Sequence, residues 1–140
     1  MIEPYLFFEG RCEEALGFYR QALGAKVEMM MRNRESPEPP PPECMPPGAE
    51  DKIMHASFSV DGARILASDG MSSGRPDFKG FGIALTVPSE ADADRKFDAL
   101  AQGGKVIMPL DRTFFSPRFG MVADRFGITW MIMVDPAPTA

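Results

Sequence analysis

The sequence repeats itself, and this internal repeat limits the possible folds more than any other feature. Residues 3–29 align without a gap with residues 82–108, and both stretches read as an apolar strand, an amphipathic helix, a glycine and a Lys-Val strand. The positions of the first stretch that are identical in the second are Leu6, Phe18, Ala22, Gly24, Lys26, Val27 and Met29. A duplicated unit of this size usually packs against its copy and leaves a cleft, so we expect a functional site in that cleft.

Hydrophobic periodicity predicts the same order of elements in each copy: a strand, a helix and three more strands. In the first copy, the strands are expected at 2–8, 25–32, 52–60 and 63–68 and the helix at 12–23. In the second copy, the strands are expected at 81–87, 105–110, 118–123 and 128–134 and the helix at 90–101. The predicted fold class is therefore α+β. Two tandem βαβββ modules, about residues 1–70 and 80–135, form a curved mixed sheet around a cleft in a single domain of residues 1–140.

Local residue signals mark several ends of these elements. Gly24 is expected to end the first helix in a left-handed conformation. Asp61 and Gly62 form a two-residue hairpin signal between two strands. Ser89 is suited to cap the second helix, with Asp92 three residues on as an acidic variant of the capping box.

The segment 33–51 breaks the pattern, because it holds seven of the fourteen prolines of the chain. A proline lacks the backbone N–H that a strand needs for its ladder of hydrogen bonds. We interpret this segment as an extended, mobile loop, either a lid over a site or a connection without a role of its own.

Composition and charge exclude several classes of function. The net charge is -5 and the basic residues are scattered, which argues against nucleic acid as a partner. No apolar run approaches the roughly 20 residues of a membrane span, and the first residues lack the features of an export signal, so we expect a cytoplasmic protein without a membrane partner. Under that expectation, Cys12 and Cys44 are predicted to be free thiols.

Short motifs along nearly the whole chain carry a resemblance to a known family. These motifs are Pro4-Tyr5-Leu6-Phe7-Phe8, Glu13-Glu14-Ala15, Phe18-Tyr19, Met54-His55-Ala56, Ala67-Ser68-Asp69, Gly103-Gly104-Lys105-Val106, Arg118-Phe119-Gly120, Asp124, Phe126-Gly127 and Trp130. Together with the repeat, they resemble the PhnB-type branch of the vicinal oxygen chelate superfamily, which contains glyoxalase I, extradiol dioxygenases and bleomycin-resistance proteins. The resemblance implies a homodimer, and an excess of apolar residues on the strand faces agrees with it.

Neither the methyltransferase activity often attributed to this branch nor a metal centre is expected here. A methyltransferase of the usual kind holds its cofactor at a Gly-rich turn between a strand and a helix, and this chain has no such turn. In metal-dependent members of the superfamily, two histidines and a glutamate hold a divalent ion. Their positions fall on Glu3, Gly82 and Met131, and the last two side chains cannot hold a hard cation. The sequence therefore predicts no metal site and no cofactor.

The only histidine of the chain, His55, is the candidate catalytic residue. Strand alternation places it on one face with Ser57 and Ser59, and the apolar residues of the same strand on the other. A histidine facing the cleft can act as an acid, a base or a hydrogen-bond donor. The alternative, a structural histidine without a functional role, stays open.

The predicted ligand-binding residues come from the same alternation and from the resemblance: Glu3, Tyr5, Phe7, Asp69, Thr86, Phe115, Arg118 and Trp130. Tyr5 offers a phenol and Phe7 a flat wall, while Thr86 belongs to a row of small residues that widens the pocket. Asp69 is expected to pair with Arg118, to accept a bond from a ligand or to form a surface salt bridge. The phenylalanines around Arg118 suit an apolar, anionic ligand or the core of a dimer.

Three functions follow as hypotheses. The first is binding of a small apolar or aromatic molecule without a metal, as bleomycin-resistance proteins do. The second is a lyase or an oxygenase-like enzyme that uses His55 with Glu3 or Asp69 as its partner. The third is a structural homodimer whose cleft has lost its role.

Overall fold

The computed structural model describes residues 1–38, 41 and 47–136, and two βαβββ modules account for its regular structure. The first module contains β1 (Tyr5–Phe7), α1 (Cys12–Leu23), β2 (Lys26–Arg32), β3 (Ile53–Val60) and β4 (Ala63–Ser68). The second module contains β5 (Gly82–Val87), α2 (Glu90–Ala101), β6 (Lys105–Asp111), β7 (Phe119–Ala123) and β8 (Thr129–Val134). Both helices begin and end at the predicted residues, and the α+β class is confirmed.

The two modules have the same strand order, which confirms the repeat. The first sheet runs β1-β4-β3-β2 and the second runs β5-β8-β7-β6. In each sheet the first pair of this order is parallel and the other pairs are antiparallel. The mixed pairing was expected, but the described strands form two four-stranded sheets instead of one. The chain divides accordingly into two compact units, Met1–Pro76 and Asp77–Ala140.

One face of the first sheet packs against α1. Leu6 and Phe8 are buried on this side, as the alternation predicts. The ring of Tyr19 in α1 stacks on Phe58 of β3 at 5.8 Å between centroids and lies 6.1 Å from the ring of Phe8. Leu6, Phe8 and Phe58 occupy the helix side of the sheet. Because side chains alternate along a strand, the strand residues next to them are directed to the opposite face.

The predicted turn and cap signals are confirmed. Gly24 ends α1 with φ 69°, and Asp61 and Gly62 form the β3–β4 turn with φ values of 55° and 86°. A positive φ at both turn positions fits the type I′ hairpin that an Asp-Gly pair favours. The hydroxyl of Ser89 accepts a hydrogen bond from the backbone N–H of Asp92 at 3.1 Å, which satisfies a free donor at the start of α2.

The ends of the proline-rich segment are more ordered than the sequence predicts. The residues Asn33–Glu35 and Ala49–Asp51 form single turns of 3-10 helix. Asn33 joins the two turns. Its Nδ2 donates to the carbonyl oxygen of Ala49 at 2.7 Å, and its backbone N–H donates to the carbonyl oxygen of Lys52 at 3.0 Å. Proline content gave no sign of these bonds, which depend on Asn33. Residues 39, 40 and 42–46 of the predicted lid lie outside the described residues.

The carboxylate of Asp69 holds the first module together at the end of β4. Asp69 is 2% exposed. Its Oδ1 accepts hydrogen bonds from the backbone N–H groups of Gly10 at 3.1 Å and Cys12 at 2.7 Å, and its Oδ2 accepts one from Ile53 at 2.6 Å. The N-cap residue of α1, Arg11, makes no side-chain cap bond, and Asp69 satisfies the first N–H group of the helix, that of Cys12, from 57 residues away. One buried carboxyl group therefore joins the start of α1, the start of β3 and the end of β4.

Asp124 has a similar role in the second module, where it follows β7. Its Oδ1 accepts hydrogen bonds from the backbone N–H groups of Phe126 at 2.9 Å and Ile128 at 3.1 Å. Its Oδ2 accepts a bond from the indole nitrogen of Trp130 at 2.9 Å. The carboxylate thus fixes the β7–β8 turn and orients the only tryptophan of the chain.

Both helices have 12 residues. In the part of the chain that the structure describes, neither is long and apolar enough to cross a membrane.

Replacing Asp69 with alanine should lower the free energy of unfolding by on the order of 3 to 5 kcal/mol, because three backbone N–H groups, two of them buried, lose their carboxylate acceptor. Urea denaturation followed by far-UV circular dichroism measures this change. Asp98→Ala makes the same chemical change at an exposed site of α2 and should stay within about 0.5 kcal/mol of the parent protein. Equal stability of the two variants would contradict the structural role of Asp69.

Cys12 is a free, fully buried thiol, and burial raises its pKa, with a smaller contribution from the charge of Asp69. The thiolate is the reactive form, so a raised pKa and lack of access both slow modification. In a Cys44→Ala background, Cys12 should react with Ellman's reagent at least on the order of 100-fold more slowly than free cysteine. In 8 M urea, where the chain is unfolded, the difference should disappear. Rapid modification of the native protein would contradict the burial of Cys12.

Candidate functional site

The face of the first sheet opposite α1 carries large apolar side chains. Residues directly opposite each other on neighbouring strands share a face. Ser57 of β3 lies opposite Met29 of β2 and opposite Leu66 of β4, and Leu66 lies opposite Tyr5 of β1. These four residues form a continuous row across the sheet.

The neighbouring positions extend this row into an exposed patch. His55 lies two residues before Ser57 on the same face, opposite Met31, and Phe7 lies two residues after Tyr5. Phe7 is 52% exposed, Met29 39% and Tyr5 37%. We call Tyr5, Phe7, Met29, His55 and Leu66 the aromatic face. Exposed large apolar side chains that are contiguous on one face are typical of a surface that binds a partner or a ligand.

A hydrogen-bonded pair lies within the aromatic face. The hydroxyl of Tyr5 is 3.2 Å from Nδ1 of His55, and the two rings are 5.7 Å apart between centroids. The ring of Phe7 lies 4.8 Å from that of Tyr5. The hydroxyl can donate to Nδ1 or accept from it, so the opposite ring nitrogen, Nε2, can offer either an acceptor or a proton to a molecule on this face. Sequence alternation placed Tyr5, Phe7 and His55 on this face, and the structure brings them together.

Glu3 does not serve as the partner of His55. Its carboxylate forms an ion pair with Arg64, with one oxygen 3.0 Å from Nη2. The hydrogen bond from Arg64 holds the pKa of Glu3 below its usual range, so at neutral pH Glu3 is charged and paired with Arg64. The partner of His55 is Tyr5, 50 residues away in sequence. Their common face was visible from alternation, but their contact depends on the register of three strands.

Two other residues predicted to contact a ligand, Asp69 and Trp130, have buried side chains. Asp69 accepts three backbone hydrogen bonds and does not pair with Arg118. Trp130 is 1% exposed and bonded to Asp124 on the inner side of β8. The motifs around Asp69 and Trp130 have a structural role. The carboxylates of Asp69 and Asp124 accept hydrogen bonds from backbone N–H groups that the turns leave without a partner.

Arg118 also differs from the prediction. Its guanidinium donates two hydrogen bonds to Oδ1 of Asp94 in α2, at 2.9 Å from Nε and 2.6 Å from Nη2. Asp94 therefore takes the place expected for Asp69, and the cation stabilises the contact between α2 and β7. Thr86 lies on the exposed side of β5, as predicted, opposite Met133.

A groove of about 890 Å³ lies beside α2 in the second module. Its walls include Arg112, Phe114, Phe115 and Val134. Phe114 is fully exposed, and its ring meets that of Phe115 edge to face at 5.1 Å. Phe115 is thus placed in a concave surface, as its predicted role in binding requires, but Arg118 is not part of that surface.

Comparison with known proteins agrees with the fold and the motifs. Residues 2–132 match the model of a protein family described as the glyoxalase/bleomycin resistance protein/dioxygenase superfamily. The chain belongs to this superfamily. Protein YjdN of Escherichia coli is 36% identical to it, over 99% of this chain and 98% of that protein.

Solved structures of the superfamily fold give the same result. The crystal structure of protein PA1353 from Pseudomonas aeruginosa is 43% identical and superposes with a TM-score of 0.82, covering 96% of this chain and 97% of that one. The PhnB protein from Bacillus cereus is 28% identical, with a TM-score of 0.77 over 95% of this chain and 98% of that one. The resemblance to the PhnB branch that the motifs indicate is therefore confirmed.

The residues at the metal positions of the superfamily do not fit a hard divalent ion. Gly82 lies opposite Thr129, and Met131 follows two residues later on the same face of β8, so a hydrogen atom and a thioether stand where imidazole and carboxylate are needed. Glu3 is bonded to Arg64. Among residues 1–38, 41 and 47–136, no group of three His, Cys, Asp or Glu side chains is arranged to hold a metal ion.

Proposed function

We propose that this protein binds a small aromatic or apolar molecule on the aromatic face of the first module, without the divalent ion that other superfamily members use. The observation that carries the proposal is the exposure of Phe7, Met29 and Tyr5 around a hydrogen-bonded pair, Tyr5 and His55. A site of this kind combines apolar area, which supplies affinity, with one polar group, which sets orientation.

The physical chemistry of the face favours a flat ring. Each Å² of apolar surface removed from water contributes about 25 cal/mol, and a well-placed aromatic pair adds about 0.5 to 1.5 kcal/mol. Phe7 and Tyr5 provide ring surfaces, while the thioether of Met29 is polarisable and adapts to the outline of a ligand. Within the described residues, Nε2 of His55 has no protein partner, so it is available to bond a polar substituent of the ligand.

Binding without a metal is supported by the chemistry of the available donors. Gly82 provides no ligand atom and Met131 provides a soft sulfur, which holds Mg²⁺, Mn²⁺ or Zn²⁺ poorly. The carboxylate of Glu3 is neutralised by Arg64. The ligand must therefore be held by apolar contact and hydrogen bonds.

The bond between Tyr5 and His55 also supports a second function, acid–base catalysis on the same face. Nε2 would exchange a proton with a bound substrate, while the Tyr5 hydroxyl holds Nδ1 and fixes the orientation of the ring. This version of the enzyme hypothesis replaces Glu3 and Asp69 by Tyr5. It predicts that His55→Ala abolishes turnover of a substrate and leaves its affinity nearly unchanged, whereas a binding protein shows no turnover and loses affinity.

A screen of planar aromatic compounds, each with one hydrogen-bonding substituent, should yield ligands that raise the melting temperature by several degrees at 100 times their Kd, because they bind only the native state. For the best ligand, Phe7→Ala and His55→Ala should each weaken the Kd by about tenfold, which corresponds to about 1.4 kcal/mol. Isothermal titration calorimetry measures the Kd values.

Phe114→Ala is the matched control, since it removes an exposed phenylalanine from the second module and should leave the Kd unchanged. If no compound raises the melting temperature, the proposal is contradicted and the structural homodimer becomes the best account. Ligands that bind the parent protein and both aromatic-face variants equally well would show that the site lies elsewhere.

A further inference from the structure

Three methionines form a row across the second sheet. Met108 of β6 lies opposite Met121 of β7, and Met121 lies opposite Met131 of β8. Side chains in directly opposite positions share a face, with Cβ atoms about 4.5 to 5.5 Å apart. We call Met108, Met121 and Met131 the methionine row. This arrangement brings three thioethers from distant parts of the sequence onto one patch of the sheet.

The surroundings leave the thioethers accessible. Met108 is 45% exposed, and Met121 and Met131 are half-buried. On the far side of Met131, the opposite residue of β5 is Ala84, which is exposed and too small to cover the sulfur. A methionine side chain has three rotatable bonds, so neighbouring sulfurs can turn toward a common point.

A fourth thioether and an aromatic ring adjoin the row. Met133 lies two residues after Met131, on the same face of β8, and opposite Phe119 of β7. The charged residue nearest in register on that side is Asp111, which lies opposite Phe119 and therefore beyond the row. The three methionines are direct neighbours, so the row itself contains only thioether sulfur and hydrocarbon groups.

We propose that the methionine row is a binding site for a soft monovalent cation of the Cu(I) class. Thioethers are neutral, soft ligands that select Cu(I) and its analogue Ag(I), whereas hard divalent ions need oxygen or nitrogen ligands. Three uncharged sulfurs also suit a single positive charge better than a double one, since no anion is present in the row to offset it. The three residues of the row all belong to the second module.

The test is titration of the protein with Ag(I), which does not change its oxidation state, in a Cys44→Ala background that removes a competing thiol. Protein labelled with ¹³C in the methionine methyl groups reports which sulfurs bind. We expect one Ag(I) per chain by native mass spectrometry, with the methyl signals of Met108, Met121 and Met131 shifted. Zn(II) at the same concentration should shift none of the three.

Leucine keeps most of the volume of methionine and removes the sulfur, so Met121→Leu and Met131→Leu should each weaken Ag(I) binding at least tenfold. Met71→Leu changes an exposed methionine outside both sheets and should have no effect. Met108→Leu, at the most exposed position of the row, gives the same information if either variant at a half-buried position fails to fold. Unchanged affinity in the row variants, shifts confined to other methionines, or no binding below 1 mM would overturn the proposal.

Discussion

The carboxylate of Asp69 is the interaction on which the first module depends. It bonds the turn after β1 through Gly10, the first turn of α1 through Cys12 and the start of β3 through Ile53. Hydrogen bonds to a carboxylate are stronger than neutral ones, and at the two buried donors, Cys12 and Ile53, water cannot replace the carboxylate. The carboxylate bonds the turn that follows β1 and the first residue of β3. It therefore helps to set the relative positions of Tyr5 on β1 and His55 on β3.

The repeat provides one backbone twice, and the two copies use it differently. Both sheets place an apolar face on a helix and leave the other face open. On the first sheet the open face carries rings and the Tyr5–His55 pair, and on the second it carries the thioethers of β6, β7 and β8. Only the inward positions must satisfy packing, so the outward positions were able to diverge in chemistry while the fold stayed the same.

Sequence patterns predicted the fold because its signals are local. The bounds of α1 and α2 follow from helical periodicity and from Gly24 and Ser89, which act on the residues beside them. Alternation likewise predicted the faces of Tyr5, Phe7 and Thr86. The structural roles of Asp69, Arg118 and Trp130 were not visible in the sequence for the opposite reason: each depends on a partner that only the folded chain brings close. An aspartate that ends a strand looks the same in sequence whether it faces solvent or accepts three backbone bonds.

The central claim is that a ligand binds on the aromatic face and bonds Nε2 of His55. Nitrogen-15 NMR of the histidine ring tests it most directly, since His55 is the only histidine in the chain and its two ring nitrogens give separate signals. Titration with the tightest-binding aromatic compound should shift the Nε2 signal in a saturable way, with the same Kd that calorimetry gives. Saturable binding that leaves both ring nitrogens unchanged would contradict the claim.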